Sequence, residues 1–155
     1  MPRAAGLSLC ALVVLGCGAP KSHETLVESI RTFNEGVRWE RFSVAATSVP
    51  PAERSAFVQD MDERAEDLKI TDYDIITVDK HRADEAHVQV KWSWYRTSEG
   101  TLHETHADET WERHGDAWWI VDTKLVRGAD MPGVADRDGT HTAVDRGVAT
   151  STPTR

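Results

Sequence analysis

The sequence predicts an α+β domain in which helices come first and a four-stranded antiparallel sheet follows. Apolar residues recur at helical spacing over residues 26–68, and from residue 69 the pattern changes to the alternation that is typical of strands. Three short turns separate the strand segments, so consecutive strands should pair as a meander. Helices followed by such a sheet define the α+β class.

The helical part begins directly after Thr25. This threonine and Glu28 form a capping-box pattern, in which the hydroxyl accepts a backbone N–H of the first turn. Gly36 is expected to break or bend the helix. The two prolines at 50 and 51 suit the first turn of a later helix over residues 51–68, where no N–H donor is lost. One face of the first helix is apolar and consists of Leu26, Ile30, Phe33 and Val37.

The strand segments cover residues 69–78, 87–95, 101–113 and 117–125. In the first segment the alternation slips near residues 73–75, as it does at a β-bulge. A tight turn at Glu99-Gly100 would pair Ser98 with Thr101, so that paired residue numbers sum to 199. This register places Lys91 opposite Asp108, Ser93 opposite His106, Tyr95 opposite Glu104, Trp94 opposite Thr105, Trp92 opposite Ala107, Val90 opposite Glu109, and Val88 opposite Trp111.

Residues 1–16 have the layout of a secretory signal peptide. They carry one charge, Arg3, before an apolar stretch that is too short to span a membrane. The stretch ends in Val14-Leu15-Gly16-Cys17, which resembles the lipobox of bacterial lipoproteins. The alternative is an ordinary cleaved signal with an accidental cysteine.

The lipobox resemblance implies a specific product. Cleavage would fall before Cys17, whose thiol would carry a diacylglycerol and whose amino group would be acylated. Several acyl chains anchor a protein far more firmly than one chain does. Cys10 would be discarded, so the mature chain would contain neither a free thiol nor a disulfide. Gly18 is not the aspartate that retains many Gram-negative lipoproteins in the inner membrane, which points to the periplasmic face of the outer membrane.

The charge and the ends of the mature chain limit its partners further. The full chain has a net charge of −8, and loss of Arg3 makes it −9 (−8 − 1). An acidic protein is a poor partner for nucleic acid, and a membrane would be reached through the lipid.

Residues 17–23 are predicted to be a lipidated tether and residues 24–127 the folded domain. Residues 128–155 contain no Leu, Ile, Phe, Trp or Tyr, which predicts a disordered tail.

Residues 24–126 resemble the NTF2-like (SnoaL-like) superfamily, and more closely uncharacterised bacterial lipoproteins built on this pattern. The resemblance rests on the segments "LVESIRTFNEGVRWERF", "LKITDYDIITV" and "WERHGDAWWIVD". It implies a curved sheet that wraps a helix into a cone. The superfamily includes isomerases, dehydratases, cyclases and binding modules, so this fold leaves function open.

The segment "HETHADE", residues 103–109, suggests a metal site because it contains two histidines and three carboxylates. His103 and His106 are three residues apart, however, and would face opposite sides of a strand. Glu104, His106 and Asp108 share the polar face that also carries Lys91. We therefore predict ordinary solvated sheet here, with neither a metal nor another cofactor.

The opposite face is apolar except for Glu109, which would lie among tryptophans. Desolvation would raise the pKa of such a carboxyl, and perturbed groups cluster at functional sites. In the superfamily this face lines the pocket, so the resemblance implies a lining of Trp92, Trp94, Thr105 and Glu109, with Glu109 and His103 as weak catalytic candidates. The alternative is that Glu109 meets an arginine of the helices, Arg31, Arg38 or Arg41, or reaches solvent at the sheet edge.

Six tryptophans could form a ligand box, but aromatic residues at this spacing are more often core. Trp118 and Trp119 are adjacent, so one of them should face away from the core and could contact a partner.

The leading hypothesis is a non-enzymatic, lipid-anchored envelope protein that binds a protein partner or a small apolar ligand. The alternatives are an isomerase or hydratase that uses Glu109 as general base, and a structural lipoprotein with no ligand.

Overall fold

The fold is known from a computed structural model that describes residues 25–133. The helices are α1 (Leu26–Arg38), α2 (Phe42–Ala45) and α3 (Arg54–Arg64), with a short 3₁₀ turn (Ala46–Ser48) after α2. The strands are β1 (Leu68–Asp79), β2 (Glu85–Arg96), β3 (Leu102–His114) and β4 (Ala117–Gly128). They form an antiparallel sheet in the order β1-β2-β3-β4, which confirms the predicted α+β meander.

The first helix starts as predicted. The Thr25 hydroxyl accepts the backbone N–H of Glu28 at 3.3 Å. Gly36, however, does not break α1 but lies inside it, against the end of the next helix. A Cβ at this position would lie 2.8 Å from the backbone nitrogen of Ala45, so the glycine lets α1 and α2 approach closely. The chain leaves α1 through Glu40, which adopts a positive φ of 54°.

The core lies between α1 and one face of the sheet, here called the inner face. Phe33 meets the edge of the Trp111 ring at 5.9 Å between centroids, near the middle of the sheet. Two residues further along α1, Glu35 accepts the Tyr73 hydroxyl of β1 at 3.3 Å, and burial followed by this carboxylate raises the pKa of that tyrosine. Arg38 ends the helix beside Asp72 at 3.1 Å. Helix α1 therefore crosses the inner face towards edge strand β1.

The observed β2–β3 register corrects the predicted one. Paired residue numbers sum to 197 instead of 199, so Tyr95 lies opposite Leu102 and Trp94 opposite His103. The shift is two residues, so every side chain keeps its predicted face while every predicted partner changes. The new pairs are Trp92 with Thr105, Val90 with Ala107, Val88 with Glu109, Ala86 with Trp111, Lys91 with His106, Ser93 with Glu104, and Gln89 with Asp108.

Asp67 explains why the turn is longer than predicted. Its carboxylate accepts the backbone N–H and the hydroxyl of Ser98 and the hydroxyl of Thr97, all at 2.8 Å. These bonds, led by the Ser98 backbone N–H, lower the pKa of Asp67. Gly100 completes the loop with a positive φ of 68°. Thr97 and Ser98 are thus held in the loop by a residue that precedes β1, and Ser98 cannot pair with Thr101.

Strand β1 contains two irregularities rather than the single slip predicted near residues 73–75. Its register against β2 shifts between Ile70 and Asp72 and again between Ile75 and Thr77. Each shift inserts one extra residue, which returns the following side chains to the faces they would otherwise leave. Ile70, Tyr73, Ile75 and Val78 consequently all lie on the inner face, opposite inward side chains of β2.

The folded domain extends beyond the predicted boundary at residue 127. The backbone N–H of Ala129 donates to the Glu104 carbonyl at 2.9 Å, and Met131 is fully buried in the core. Residues 128–133 are therefore part of the domain rather than of a tail. The predicted signal peptide (1–16), the tether (17–23) and residues 134–155 lie outside the described residues. Within residues 25–133, no helix is long and apolar enough to cross a membrane.

Candidate functional site

Glu109 occupies the centre of the inner face. It lies on β3 between Val88 of β2 and Thr123 of β4 and is completely buried. The Trp111 indole N–H donates to its Oε2 at 3.0 Å. The alternative that placed Glu109 at a solvated sheet edge is wrong, because it is fully buried on an inner strand. Of the three arginines considered as partners, Arg38 binds Asp72.

The structure does not bring His103 to Glu109. Both side chains are on the inner face of β3, but six residues separate them, about 20 Å along an extended strand. The His103 ring packs on Trp94 at 4.7 Å between centroids, and its Nε2 lies 3.6 Å from Glu99. A general base and its partner must be within hydrogen-bond reach of the same substrate, and this pair is not.

The remaining predicted lining residues are packed against protein. Trp92 is fully buried and lies beside the Tyr73 ring at 5.6 Å between centroids. The indole N–H of Trp94 donates to the Thr105 hydroxyl at 2.8 Å, and this hydroxyl donates to the Ala129 carbonyl. The segment that follows β4 therefore closes over this part of the inner face, and the predicted lining forms core instead of a binding surface.

Of the histidines and carboxylates of "HETHADE", Glu104, His106 and Asp108 lie on the outer face, where strand β2 contributes further polar side chains. His87 Nδ1 lies 2.9 Å from Asp108, and its Nε2 lies 3.5 Å from Glu85. Lys91 pairs with Asp74 of β1 at 2.8 Å rather than with Asp108. Within residues 25–133, no group of three or more histidine, cysteine or acidic side chains could hold a metal ion.

His87 should make stability depend on pH. The hydrogen bond to Asp108, followed by the nearby charges, raises its pKa above the ordinary 6.5, while the His81 ring lies on its other side. Its stabilising contribution is fully present below pH 6.5 and is lost as the pH rises through the raised value. We therefore expect His87→Gln to lower the free energy of unfolding more at about pH 5.5 than at about pH 9, as measured by urea unfolding.

Asp108→Asn serves as the matched variant for this prediction. Because it removes the negative charge of the group that contributes most to the raised pKa of His87, it should reduce the same pH-dependent difference, of which Glu85 supplies the remainder. Equal losses at both pH values for His87→Gln would contradict the assignment.

The adjacent tryptophans of β4 have opposite environments. Trp118 is buried, and the Lys80 ammonium lies 5.4 Å from its ring centre. Trp119 is on the outer face and stacks on His114 at 4.4 Å between centroids. Of the two predicted partner residues, Trp118 therefore belongs to the core, and Trp119 is the half-exposed one.

A more exposed aromatic side chain, Trp39, was not among the predicted site residues. It is 58% exposed at the end of α1. Its indole N–H donates to Glu35 at 2.9 Å, and the Arg38 guanidinium lies over its ring at 4.9 Å. The available signal was Trp39's position after the last helical turn, where the apolar spacing of α1 has ended. Glu35, Arg38 and Trp39 are called the Trp39 surface below.

Comparison with known proteins identifies the fold and nothing finer. No family model matches the chain, and no curated protein matches it significantly. Among solved structures, it is similar to a SEC-C motif containing protein from Rhodopseudomonas palustris, with a TM-score of 0.58 and 12% identity over 69% of this chain and 83% of that one. It is also similar to a ketosteroid isomerase-like protein from Erwinia carotovora atroseptica, with a TM-score of 0.52 and 10% identity. This second likeness covers 70% of this chain and 98% of the other chain.

The helices, the four-stranded antiparallel sheet and these neighbours define an NTF2-like, ketosteroid isomerase-like fold. At such low identity the likeness concerns the fold alone. On the inner face of this chain, the four residues that were predicted to line a pocket, Trp92, Trp94, Thr105 and Glu109, are all buried.

Proposed function

We propose that this chain is a lipid-anchored protein of the bacterial cell envelope whose NTF2-like domain is a non-enzymatic binding or scaffold module. The observation that carries this proposal is the burial of the inner face, where Trp92, Glu109 and Trp111 are all completely buried. A substrate or a small apolar ligand would need access to these groups. The domain is therefore proposed to act through its surface, on a protein partner.

The anchor part of the proposal rests on the residues before the domain. The lipobox-like "VLGC" ends at Cys17, eight residues before the N-cap Thr25. Eight extended residues reach at most about 28 Å, so the start of α1 would stay near the bilayer. Gly18 and the acidic surface support a site on the periplasmic face of the outer membrane, with contact through the lipid rather than through basic side chains.

The Trp39 surface is the proposed partner site. Tryptophan and arginine are the residue types enriched among the side chains that dominate binding energy. In this chain the two side chains are preorganised, because Glu35 accepts a hydrogen bond from the Trp39 indole and Arg38 covers one side of its ring. A preformed arrangement loses little side-chain entropy on binding. Trp119 on the outer face is a second, less exposed candidate.

Affinity capture from the envelope tests this function. The full chain, tagged at its C-terminus and purified from membranes of its bacterial host, should retain a partner that Trp39→Ala loses by about 30-fold, the effect of a 2 kcal/mol contact. Leu102→Ala is the matched control, because Leu102 is also an exposed apolar residue, at 64%. Identical retention by both variants would contradict the proposed site, and absence of any partner would favour a structural lipoprotein.

A further inference from the structure

The sheet has two open edges that expose apolar side chains. Within residues 25–133, no strand pairs with the outer edge of β1 or β4. The described chain has nine exposed large apolar side chains, and five of them lie on these two edges. Such edges are templates for pairing with another strand. The five are Ile75, Ile76 and Val78 on β1, and Leu125 and Val126 on β4.

The two edges carry opposite charges. On its outer face, β1 presents Asp72, Asp74 and Asp79, all exposed. On the same face of the sheet, β4 presents exposed Lys124 and Arg127 beside the less exposed Asp122, which leaves this strand with a net positive charge on that face. Each edge thus combines apolar side chains towards the inner face with charges on the outer face, and the sign of the charge differs between the edges.

We propose that β4 of a second copy of this chain pairs with β1, so that the sheet continues from one molecule into the next. In the meander, β1 and β4 run in opposite directions. A second copy placed edge to edge, with its inner face on the same side, therefore presents β4 antiparallel to β1. This placement does not depend on the proposed function.

One register satisfies both faces of the joined sheet. It sets Asp79 opposite Lys124 of the second copy on the outer face and Val78 opposite Leu125 of the second copy on the inner face. Ile76 and Val126 are the extra residues at the irregularities of β1 and β4, and in this register they lie at neighbouring positions across the junction. The junction therefore covers exposed apolar groups and pairs opposite charges.

Pairing between identical edges is disfavoured by the same charges. Two β1 strands would bring the aspartates of both copies together, and two β4 strands would bring Lys124 and Arg127 together. The β1–β4 contact is head to tail, so a joined pair keeps one open edge of each kind, β4 on one molecule and β1 on the other. Assembly then continues into an open chain unless the geometry closes a ring.

Directed photocrosslinking in cells tests the junction. Two full-length copies with different tags are expressed together in a bacterial host, and one carries p-benzoylphenylalanine at position 76. Illumination should join the two tags, and mass spectrometry should map the adduct to residues 122–128 of the other copy. An adduct on β1 of the other copy, on residues 1–24 or 134–155, or on a different protein would overturn the proposal. Failure to form any adduct, when the chain is folded, would also overturn it.

Charge variants make this test directional. Lys124→Glu with Arg127→Glu in the copy without the crosslinker should lower the adduct yield about tenfold, because both charges then oppose the aspartates of β1. Asp79→Lys in the crosslinker copy should restore part of the yield. The control, Arg31→Glu with Arg41→Glu, makes the same charge change on the helical layer and should leave the yield unchanged.

A second variant guards against a folding defect, since Lys124 also pairs with Asp122 at 3.0 Å. Val126→Glu alters only an exposed side chain of β4. It should also lower the adduct yield by about tenfold, because it places an unpaired carboxylate at the apolar junction. Unchanged yields for both β4 variants would overturn the assignment of β4 as the second strand.

Discussion

Replacing Trp111 by alanine is expected to lower the free energy of unfolding by about 3–5 kcal/mol. Trp111 is fully buried, its ring meets Phe33 of α1, and its indole N–H donates to Glu109. The substitution would leave a cavity between helix and sheet and remove a donor from a buried carboxylate, and both effects destabilise the native state. Urea unfolding of residues 18–155, followed by circular dichroism, measures the loss.

Trp39→Ala is the matched control for this experiment. It removes the same side chain from a site that is 58% exposed, so the loss should be at most about 0.5 kcal/mol. Together the two variants test whether Trp111 lies in the core and Trp39 on the surface. Similar losses for both would contradict the described packing, and a larger loss for Trp39→Ala would also remove the basis for the proposed partner surface.

Cys17→Ser is expected to move the protein from the membrane fraction to the soluble fraction. Serine supplies no thiol for the diacylglycerol, and a chain with a net charge of −8 is not drawn to anionic lipid by its overall charge. Fractionation of cells that express the full chain measures the change. Mass spectrometry of the mature wild-type chain should then show acyl chains on residue 17.

Cys10→Ser is the control for the anchor, because Cys10 lies in the segment that processing would remove. This variant should stay in the membrane fraction with an unchanged mature mass. Membrane retention of Cys17→Ser would contradict the lipobox interpretation, and so would a mature N-terminus at a residue other than 17.

Much of the fold could be predicted because it depends on local patterns. The capping box places the start of α1, and the change from helical spacing to alternation places the start of the sheet. Strand alternation assigns each side chain to a face, and this assignment survived the wrong β2–β3 register because the error was an even number of residues. The buried position of Glu109 among apolar neighbours followed from the same alternation.

The candidate site was less predictable, because its character depends on residues that are distant in the chain. Asp67 holds the β2–β3 turn from a position about 30 residues away, and this contact determines which side chains face each other. Met131 and Ala129 close the inner face from a segment whose composition resembles a tail. No local pattern could have indicated these contacts.

The sequence by itself determined the order of the helices and strands, the face of each strand residue and the signal-peptide-like pattern that ends at Cys17. These features depend on periodicity and short motifs, which involve only a few neighbouring residues. Only the tertiary structure decided that Glu109 and its neighbours on the inner face are fully buried, that Trp39 and Trp119 rather than Trp118 reach the surface, and that the two sheet edges carry opposite charges. These properties arise where separate elements pack together, and their outcome depends on long-range contacts that a single strand or helix does not encode.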